Sequence, residues 1–323
     1  MADERTNLTL RLGTRGSLLA QAQSRLIAAE LVHVHPGLKI EPVICKTTGD
    51  KIQDRPLHDA GGKGLFTKEI EEALLAGTVD FAVHSFKDVP VTMPLVDSSK
   101  LTIAAVPRRE DPRDCLVSLQ GKSIQELARG AKVGTSSLRR RCQLLNLRPD
   151  LNIQMIRGNI DTRVRKLRDG EFDAVILAVA GLKRGGIFDS TFMHLIPFEQ
   201  MLPAAAQGAL AIQCRDDDER VKAILSSLND PETHECVLIE RALVQALDGD
   251  CHSPIAVLAT QTSGRFSLHA SIGTRGGELP VIQAEANSSF AERGAALESV
   301  KQSLLKQGAR ELLKDNKTTD KHG

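Results

Sequence analysis

At 323 residues, with 42 Lys and Arg against 41 Asp and Glu and 41% apolar residues, the chain has the balance of a globular protein of two or three domains, each large enough to bury its own core. The near-neutral charge argues against binding nucleic acid through bulk charge, and nine Phe with no Trp and no Tyr leave few platforms for stacked bases. The six cysteines, Cys45, Cys115, Cys142, Cys214, Cys236 and Cys251, contain no C-x-x-C pair, which argues against a clustered zinc site and reads most of them as buried thiols.

In chain order, Leu8 to Leu12 reads as a strand, Ser17 to His35 as an amphipathic helix stopped by Pro36-Gly37, and Lys39 to Thr47 as a second strand. A glycine-rich loop, Gly61-Gly62-Lys63-Gly64, leads to a helix from Thr67 to Ala76, followed by strands Phe81 to His84 and Leu101 to Val106. After the turn-rich Pro107 to Pro112 the pattern restarts with a strand near Lys132, a helix Ser137 to Leu147, a strand Ile153 to Ile156, a helix Ile160 to Arg168 and a strand Ala174 to Leu177. Short strands alternating with helices predict α/β domains with mostly parallel sheets. A further restart after Asp230-Pro231 predicts a helix to Leu247, three strands within Ile255 to Ala286 and a helix from Ala291 to Leu313, a smaller α+β domain with a polar tail. The apolar run Ala174 to Leu182 is far short of a bilayer span, and Asp3 and Glu4 without an apolar stretch do not read as a signal peptide, so a cytoplasmic location without membrane contact is expected.

Between Lys132 and Arg168 ten Lys and Arg stand against Asp150 and Asp161 alone. Within this stretch Gly134-Thr135-Ser136-Ser137 opens a helix beginning Leu138-Arg139-Arg140-Arg141, and a helix N-terminus ringed with hydroxyls and guanidiniums attracts carboxylate or phosphate. The alternative is a solvated charge run. Gly13-Thr14-Arg15-Gly16-Ser17 repeats the pattern near the start, which predicts two similar domains facing one cleft. His84-Ser85-Phe86-Lys87-Asp88-Val89-Pro90 places a polar turn after a strand, where α/β sheets present ligand-binding groups; an ordinary Asp-capped turn has the same look. Cys251, in Leu247-Asp248-Gly249-Asp250-Cys251-His252-Ser253-Pro254, lies in a loop where a thiol is available as nucleophile or covalent anchor, or is merely an uninvolved loop cysteine.

Six segments in order resemble one family. Gly61-Gly62-Lys63-Gly64-Leu65-Phe66, the turn 84–90, Gly134-Thr135-Ser136-Ser137-Leu138-Arg139-Arg140, Arg157-Gly158-Asn159, Leu177-Ala178-Val179-Ala180-Gly181-Leu182 and Leu202-Pro203-Ala204-Ala205-Ala206-Gln207-Gly208 are similar to the porphobilinogen deaminase (hydroxymethylbilane synthase) family. The resemblance implies two α/β domains built like type II periplasmic binding proteins, 1–103 with 209–226 and 105–201, and a smaller α+β domain, 231–323. It implies a monomeric transferase that joins four porphobilinogen molecules head to tail with loss of ammonia and hydrolyses the product from a dipyrromethane cofactor, itself held by a thioether to Cys251. Asp88 takes the catalytic place. The cofactor positions are Ser85, Lys87, Asp88, Thr135, Ser136, Ser137, Arg139, Arg140, Arg157 and Gly181. Those for substrate are Arg15, Ser17, Phe66, Arg157, Arg163, Arg184 and Gln207. No metal is implied. Arginine forks suit the many carboxylates of a growing pyrrole chain. The chain departs from the common pattern at Asp59, where many members carry Lys, and at Asp250 and His252-Ser253 around the cysteine. A two-lobed anion receptor would share the cleft but not the third domain with Cys251, and a nucleic-acid binder would account for the arginines alone.

Overall fold

The computed structural model describes residues 8–48, 64, 67–91, 100–250 and 252–314. Asp59, Phe66 and Cys251 lie outside the described residues, as does the glycine-rich loop before Gly64. The chain forms two compact units, Met1–Glu110 with Gly208–Glu235, and Asp111–Gln207 with Cys236–Gly323.

The first unit is a five-stranded sheet in the order β2-β1-β3-β10-β4. Strand β1 (Thr9–Arg15) runs into α1 (Leu18–Val34), whose N-terminus is satisfied by Ser17: its hydroxyl accepts the Ala20 N–H at 3.3 Å. Strand β2 (Lys39–Cys45) lies parallel to β1, as does β3 (Phe81–Ser85), which follows α2 (Lys68–Leu75). Strand β4 (Leu101–Ala105) closes the sheet on the far side of β10 (Leu210–Arg215), which is antiparallel to both its neighbours. Leu12, Ile27, Leu31, Phe81 and Ile212 fill one face, and Ile70, Leu74, Val79 and Ala82 the other. Helix α6 (Glu219–Leu225) adds Val221 and Leu225 to the first of these cores.

The second unit repeats this plan. Its sheet, β7-β6-β8-β5-β9, has parallel β6 (Lys132–Gly134), β7 (Asn152–Gln154) and β8 (Ala174–Ala178), with β5 (Asp114–Val117) antiparallel between β8 and β9 (Met193–Leu195). Helices α3 (Leu138–Leu147), α4 (Ile160–Arg168) and α5 (Val179–Arg184) follow β6, β7 and β8. In both sheets the fourth strand runs against the rest, and each such strand is the first to form after the chain passes between units. The expected mostly parallel sheets are therefore mixed. The short strands β5 and β9, and β10 with helices α5 and α6, went unread in the sequence. Gly13-Thr14-Arg15 also differs from expectation: it is not a turn but the end of β1, paired with Val43, Ile44 and Cys45.

The second unit also holds a three-stranded antiparallel sheet of β11 (Ile255–Thr262), β12 (Arg265–Ile272) and β13 (Ile282–Ser289), with helices α7 (Pro231–Ala246), α8 (Arg293–Lys306) and α9 (Ala309–Leu312). The expected single C-terminal helix is broken at Gly308, whose φ of 91° a helix interior does not accommodate. Several contacts bind this sheet to the rest of the unit, among them two at buried positions. Glu240 on α7, fully buried, accepts the N–H of Ala206 at 2.6 Å and of Ala259 at 2.8 Å, holding Ala206 at a φ of 61°. Gly273, just past β12, approaches α3 so closely that a Cβ built there would lie 2.3 Å from Cys142 Sγ and 2.5 Å from its Cβ.

Candidate functional site

The carboxyl ends of the central strands carry the polar residues, as expected for open α/β sheets. In the first unit Arg15, Gln23, Thr67, His84, Ser85 and Asp88 line one recess. Asp88 owes its exposure to the residues around it. Phe86 and Val89 are 2% and 1% exposed, so the 3-10 turn Phe86–Asp88 is pinned at both ends and turns its polar residues outward. Ser85 is fixed from α1: Gln23 Nε2 donates to Ser85 Oγ at 2.9 Å, and that hydroxyl lies 3.2 Å from Gln23 Oε1. Ser17 serves as the helix cap described above.

His84, 6% exposed, sits on the other face of β3, its Nε2 3.0 Å from Gln213 Oε1, while Gln213 Nε2 donates to Glu71 Oε1 at 3.3 Å. Burial lowers the His84 pKa to about 4, with Arg15 pushing the same way and Gln213 and Asp88 opposing. The imidazole is neutral at physiological pH.

In the second unit the hydroxyl turn after β6 is largely self-satisfied. Thr135 Oγ1 accepts the Ser137 N–H at 3.2 Å, Ser137 Oγ accepts the Arg140 N–H at 3.4 Å, and Ser136 Oγ donates to the Ile156 carbonyl. That last bond ties the turn to the residue preceding Arg157, whose Nε is buried without a hydrogen-bond partner. Asn159 caps α4 through the Thr162 N–H at 2.9 Å, and Arg163 Nε donates to the Gly158 carbonyl at 2.9 Å. Gly158 has a φ of 108°, and a Cβ there would meet Thr162 Cγ2 at 2.5 Å, so only glycine fits between Arg157 and the cap. Gly181 is buried within α5, and Arg184 ends that helix.

Arg139 and Arg140 face neither solvent nor an open recess. They are 4% and 6% exposed, and each reaches a carboxylate oxygen of the fully buried Asp114 at 2.8 Å. The Arg140 contact is an aligned hydrogen bond, whereas Arg139 lies beside Oδ2 as an ion pair without that alignment. Gln207 Nε2 donates to Asp114 Oδ1 at 2.8 Å and to the Pro112 carbonyl at 2.7 Å. Burial alone would raise the Asp114 carboxyl, but Arg139 and Arg140 hold it well below the usual range. Sequence reasoning missed Asp114, Gln23 and His84. The available signals were an acid opening the apolar run Cys115-Leu116-Val117 and a Gln on the apolar stripe of α1.

Around Cys251 the unusual neighbours bond to one another. Asp250 Oδ1 accepts the His252 N–H at 2.9 Å and the Ser253 hydroxyl at 2.8 Å, and the Asp250 N–H donates to Ser253 Oγ at 2.9 Å. Burial opposes the Asp250 charge, yet these bonds and the field of Arg275 leave its pKa lowered. Among the described residues no group of His, Cys, Asp and Glu is arranged to hold a metal ion.

Residues 10–223 match the sequence model of the porphobilinogen deaminase dipyromethane cofactor binding domain, and residues 234–305 that of the porphobilinogen deaminase C-terminal domain. The porphobilinogen deaminase of Syntrophobacter fumaroxidans is 47% identical over 310 residues, covering 96% of this chain and 98% of that protein. That of Sorangium cellulosum is 50% identical over 261 residues, covering 81% and 85%. Among solved structures, the methionine binding protein MetQ aligns with a TM-score of 0.43 and 17% identity, over 70% of this chain and 92% of that one.

Two outcomes follow from the buried charges. Asp114→Asn leaves two buried guanidiniums facing a neutral amide and should cost about 3 to 5 kcal/mol of unfolding free energy; denaturant melts measure it, and a change within the error of the melts would refute the role given to this carboxylate. His84, with its pKa lowered from 6.5 to about 4, contributes stability that is fully present above pH 6.5 and is lost as pH falls toward 4, because only the unfolded chain takes up the proton there. That loss is at most about 3 kcal/mol. His84→Gln should remove this component, so the gap between wild-type and variant stability should shrink on acidification; a gap independent of pH would contradict a buried neutral imidazole.

Proposed function

We infer how this chain works from its membership of the porphobilinogen deaminase family, to which it belongs over nearly its whole length. It is a transferase of tetrapyrrole synthesis that condenses porphobilinogen and depends on a dipyrromethane cofactor. The observation that carries the mechanism is the single recess shared by Asp88 and Arg15 at the ends of β3 and β1.

In each unit the donors suit a group bearing several carboxylates: Arg15 and Ser85 in the first, and in the second the hydroxyls of the turn 135–137 and an Arg157 Nε buried with no partner of its own. Ser85, Lys87, Arg157 and the turn Thr135-Ser136-Ser137 would hold the cofactor, with Gly181 beside it and Cys251 as the thioether anchor. Arg139 and Arg140 would take part with Asp114, two cations against one anion, leaving a net positive charge at the start of α3. Arg15, Ser17, Phe66, Arg163, Arg184 and Gln207 would receive the substrate. Gln207, its amide spent on Asp114 and Pro112, acts by holding this charge cluster rather than by free contact.

When bound, the dipyrromethane supplies the primer whose terminal ring carries the nucleophilic α-carbon. The exposed Asp88 carboxylate accepts a hydrogen bond from the protonated aminomethyl group of porphobilinogen, whose C–N bond breaks with ammonia taking the electron pair. It then stands as the counter-charge to the cationic methylene left on the substrate and, once the C–C bond has formed, takes up the proton released from the α-carbon. Arg15 faces the same recess and draws in the substrate carboxylates.

The same reading takes the chain as a cytoplasmic monomer of three domains, 1–103 with 209–226, 105–201 and 231–323, acting on neither nucleic acid nor membrane. Three separate sheets support the domain division. Among the described residues no helix is long and apolar enough to cross a membrane.

Cys251→Ser should fold and yet lack the mass of two linked pyrrole units that the wild type carries; an unchanged intact mass would reject Cys251 as the anchor. Asp88→Asn preserves size but removes charge and basicity, and should lower turnover by about a thousandfold or more, acid-base assistance and cation stabilisation being lost together. Asp88→Glu should keep a small, measurable rate. Near-normal turnover by the folded Asn variant would remove Asp88 from the mechanism.

A further inference from the structure

His84 is a buried titratable group that the mechanism above leaves unused, and its surroundings fix its chemistry. In the ladder between β3 and β10, His84 pairs with Ala211 while Gln213 stands two residues along and on the same side. Gln213 and Glu71 are 0% exposed. Gln213 Nε2 donates to Glu71 Oε1, which leaves the amide oxygen Oε1 turned toward the histidine. An oxygen 3.0 Å from Nε2 requires the proton on that nitrogen. Nδ1 is thereby left with a bare lone pair, on a ring that feels both Arg15 and Asp88 across the recess it lines.

We propose that His84 is a further substrate-binding residue, whose unprotonated Nδ1, fixed by Gln213 and Glu71 behind it, accepts a hydrogen bond from an N–H of porphobilinogen beside Asp88. The inference rests on the deaminase reading of the site. A neutral acceptor suits the donors of this substrate, its pyrrole N–H and aminomethyl group, and gives nothing to its carboxylates, which the guanidiniums bind. Its low basicity also matters: an imidazole this hard to protonate lies next to a developing cation without competing with Asp88 for the proton.

Long-range 1H–15N NMR of the cofactor-loaded protein near neutral pH, with the His84 signal identified by its disappearance in His84→Gln, should show the Nε2–H tautomer; an imidazolium or an Nδ1–H tautomer would overturn the proposal. Kinetically, His84→Gln keeps a group near Nε2 but loses the Nδ1 acceptor. It should fold and carry the full cofactor mass, with kcat/KM lowered about tenfold, the worth of one hydrogen bond. His84→Asn, whose amide oxygen reaches the Nδ1 position, should recover most of that loss. Wild-type kcat/KM in the Gln variant, or equal losses in both, would reduce His84 to a packing residue. If neither variant folds, assignment of the ring resonances by sequential experiments on the wild type still decides the tautomer. A wild-type protein that fails to consume porphobilinogen would instead overturn the deaminase reading, and the tautomer would remain measurable.

Discussion

The second unit is organised around one carboxylate that water never reaches. Asp114 begins β5, Arg139 and Arg140 begin α3, and Gln207 ends the Leu202–Gly208 segment, so one side chain joins three stretches far apart in sequence. Burying an ion pair gains little by itself, because the Coulombic attraction roughly offsets the lost hydration. Its effect is on specificity. A chain arrangement that parts Asp114 from the start of α3 leaves an unpaired charge in a dry interior, and is disfavoured by several kcal/mol. Two further donors of the cluster are used, Arg140 Nη1 to the Ile176 carbonyl at 3.0 Å and Arg139 Nη1 to that of Leu202, while Arg140 Nε is buried without a hydrogen-bond partner.

This cluster changes the meaning of the basic stretch. Its cations do not form one surface. Arg141 spans from the Ile153 carbonyl at 2.8 Å to that of Gly277 at 3.0 Å, binding the small sheet to α3, and Arg148 clamps Asp150 together with the carbonyls of Ile124 and Gln125. Arg157 lies in the loop between β7 and α4 and Arg163 in the first turn of that helix, where its Nε donates to the Gly158 carbonyl. A local excess of charge in the sequence thus resolves into separate places that only the geometry distinguishes.

Legibility in the sequence followed the range of the interaction. Ser17, Ser137 and Asn159 each cap the helix that directly follows, a contact three residues long, and all three helix starts were readable. Strands β5, β9 and β10 were not, since three to six residues carry little periodicity and their identity comes from partners far along the chain, as when Cys214 of β10 pairs with Phe81 of β3. Strand direction was equally hidden: nothing local in Leu210–Arg215 states that it runs against Phe81–Ser85. Within the recess, Ser85 and Asp88 were readable as polar residues at the end of an apolar strand, and Arg15 through the family resemblance. Gln23 and His84 were not, because a polar side chain on a buried face reads as noise until its partner is known. The deaminase motifs carried the family assignment, and no single local pattern would have done so.

The contact between Gly273 and Cys142 limits how this sequence can drift. With the hypothetical Cβ only 2.5 Å from the existing one, trimming the cysteine to alanine frees no room, so the two positions form a volume pair of which one member must remain glycine. Any lineage that enlarges position 273 has to vacate position 142 entirely, and a glycine inside α3 is costly to a helix. The pair therefore behaves as a one-way ratchet: the small residue stays in the loop that tolerates it, and its backbone packs close over a thiol that is 1% exposed and whose pKa burial raises to about 11, both of which disfavour the reactive thiolate.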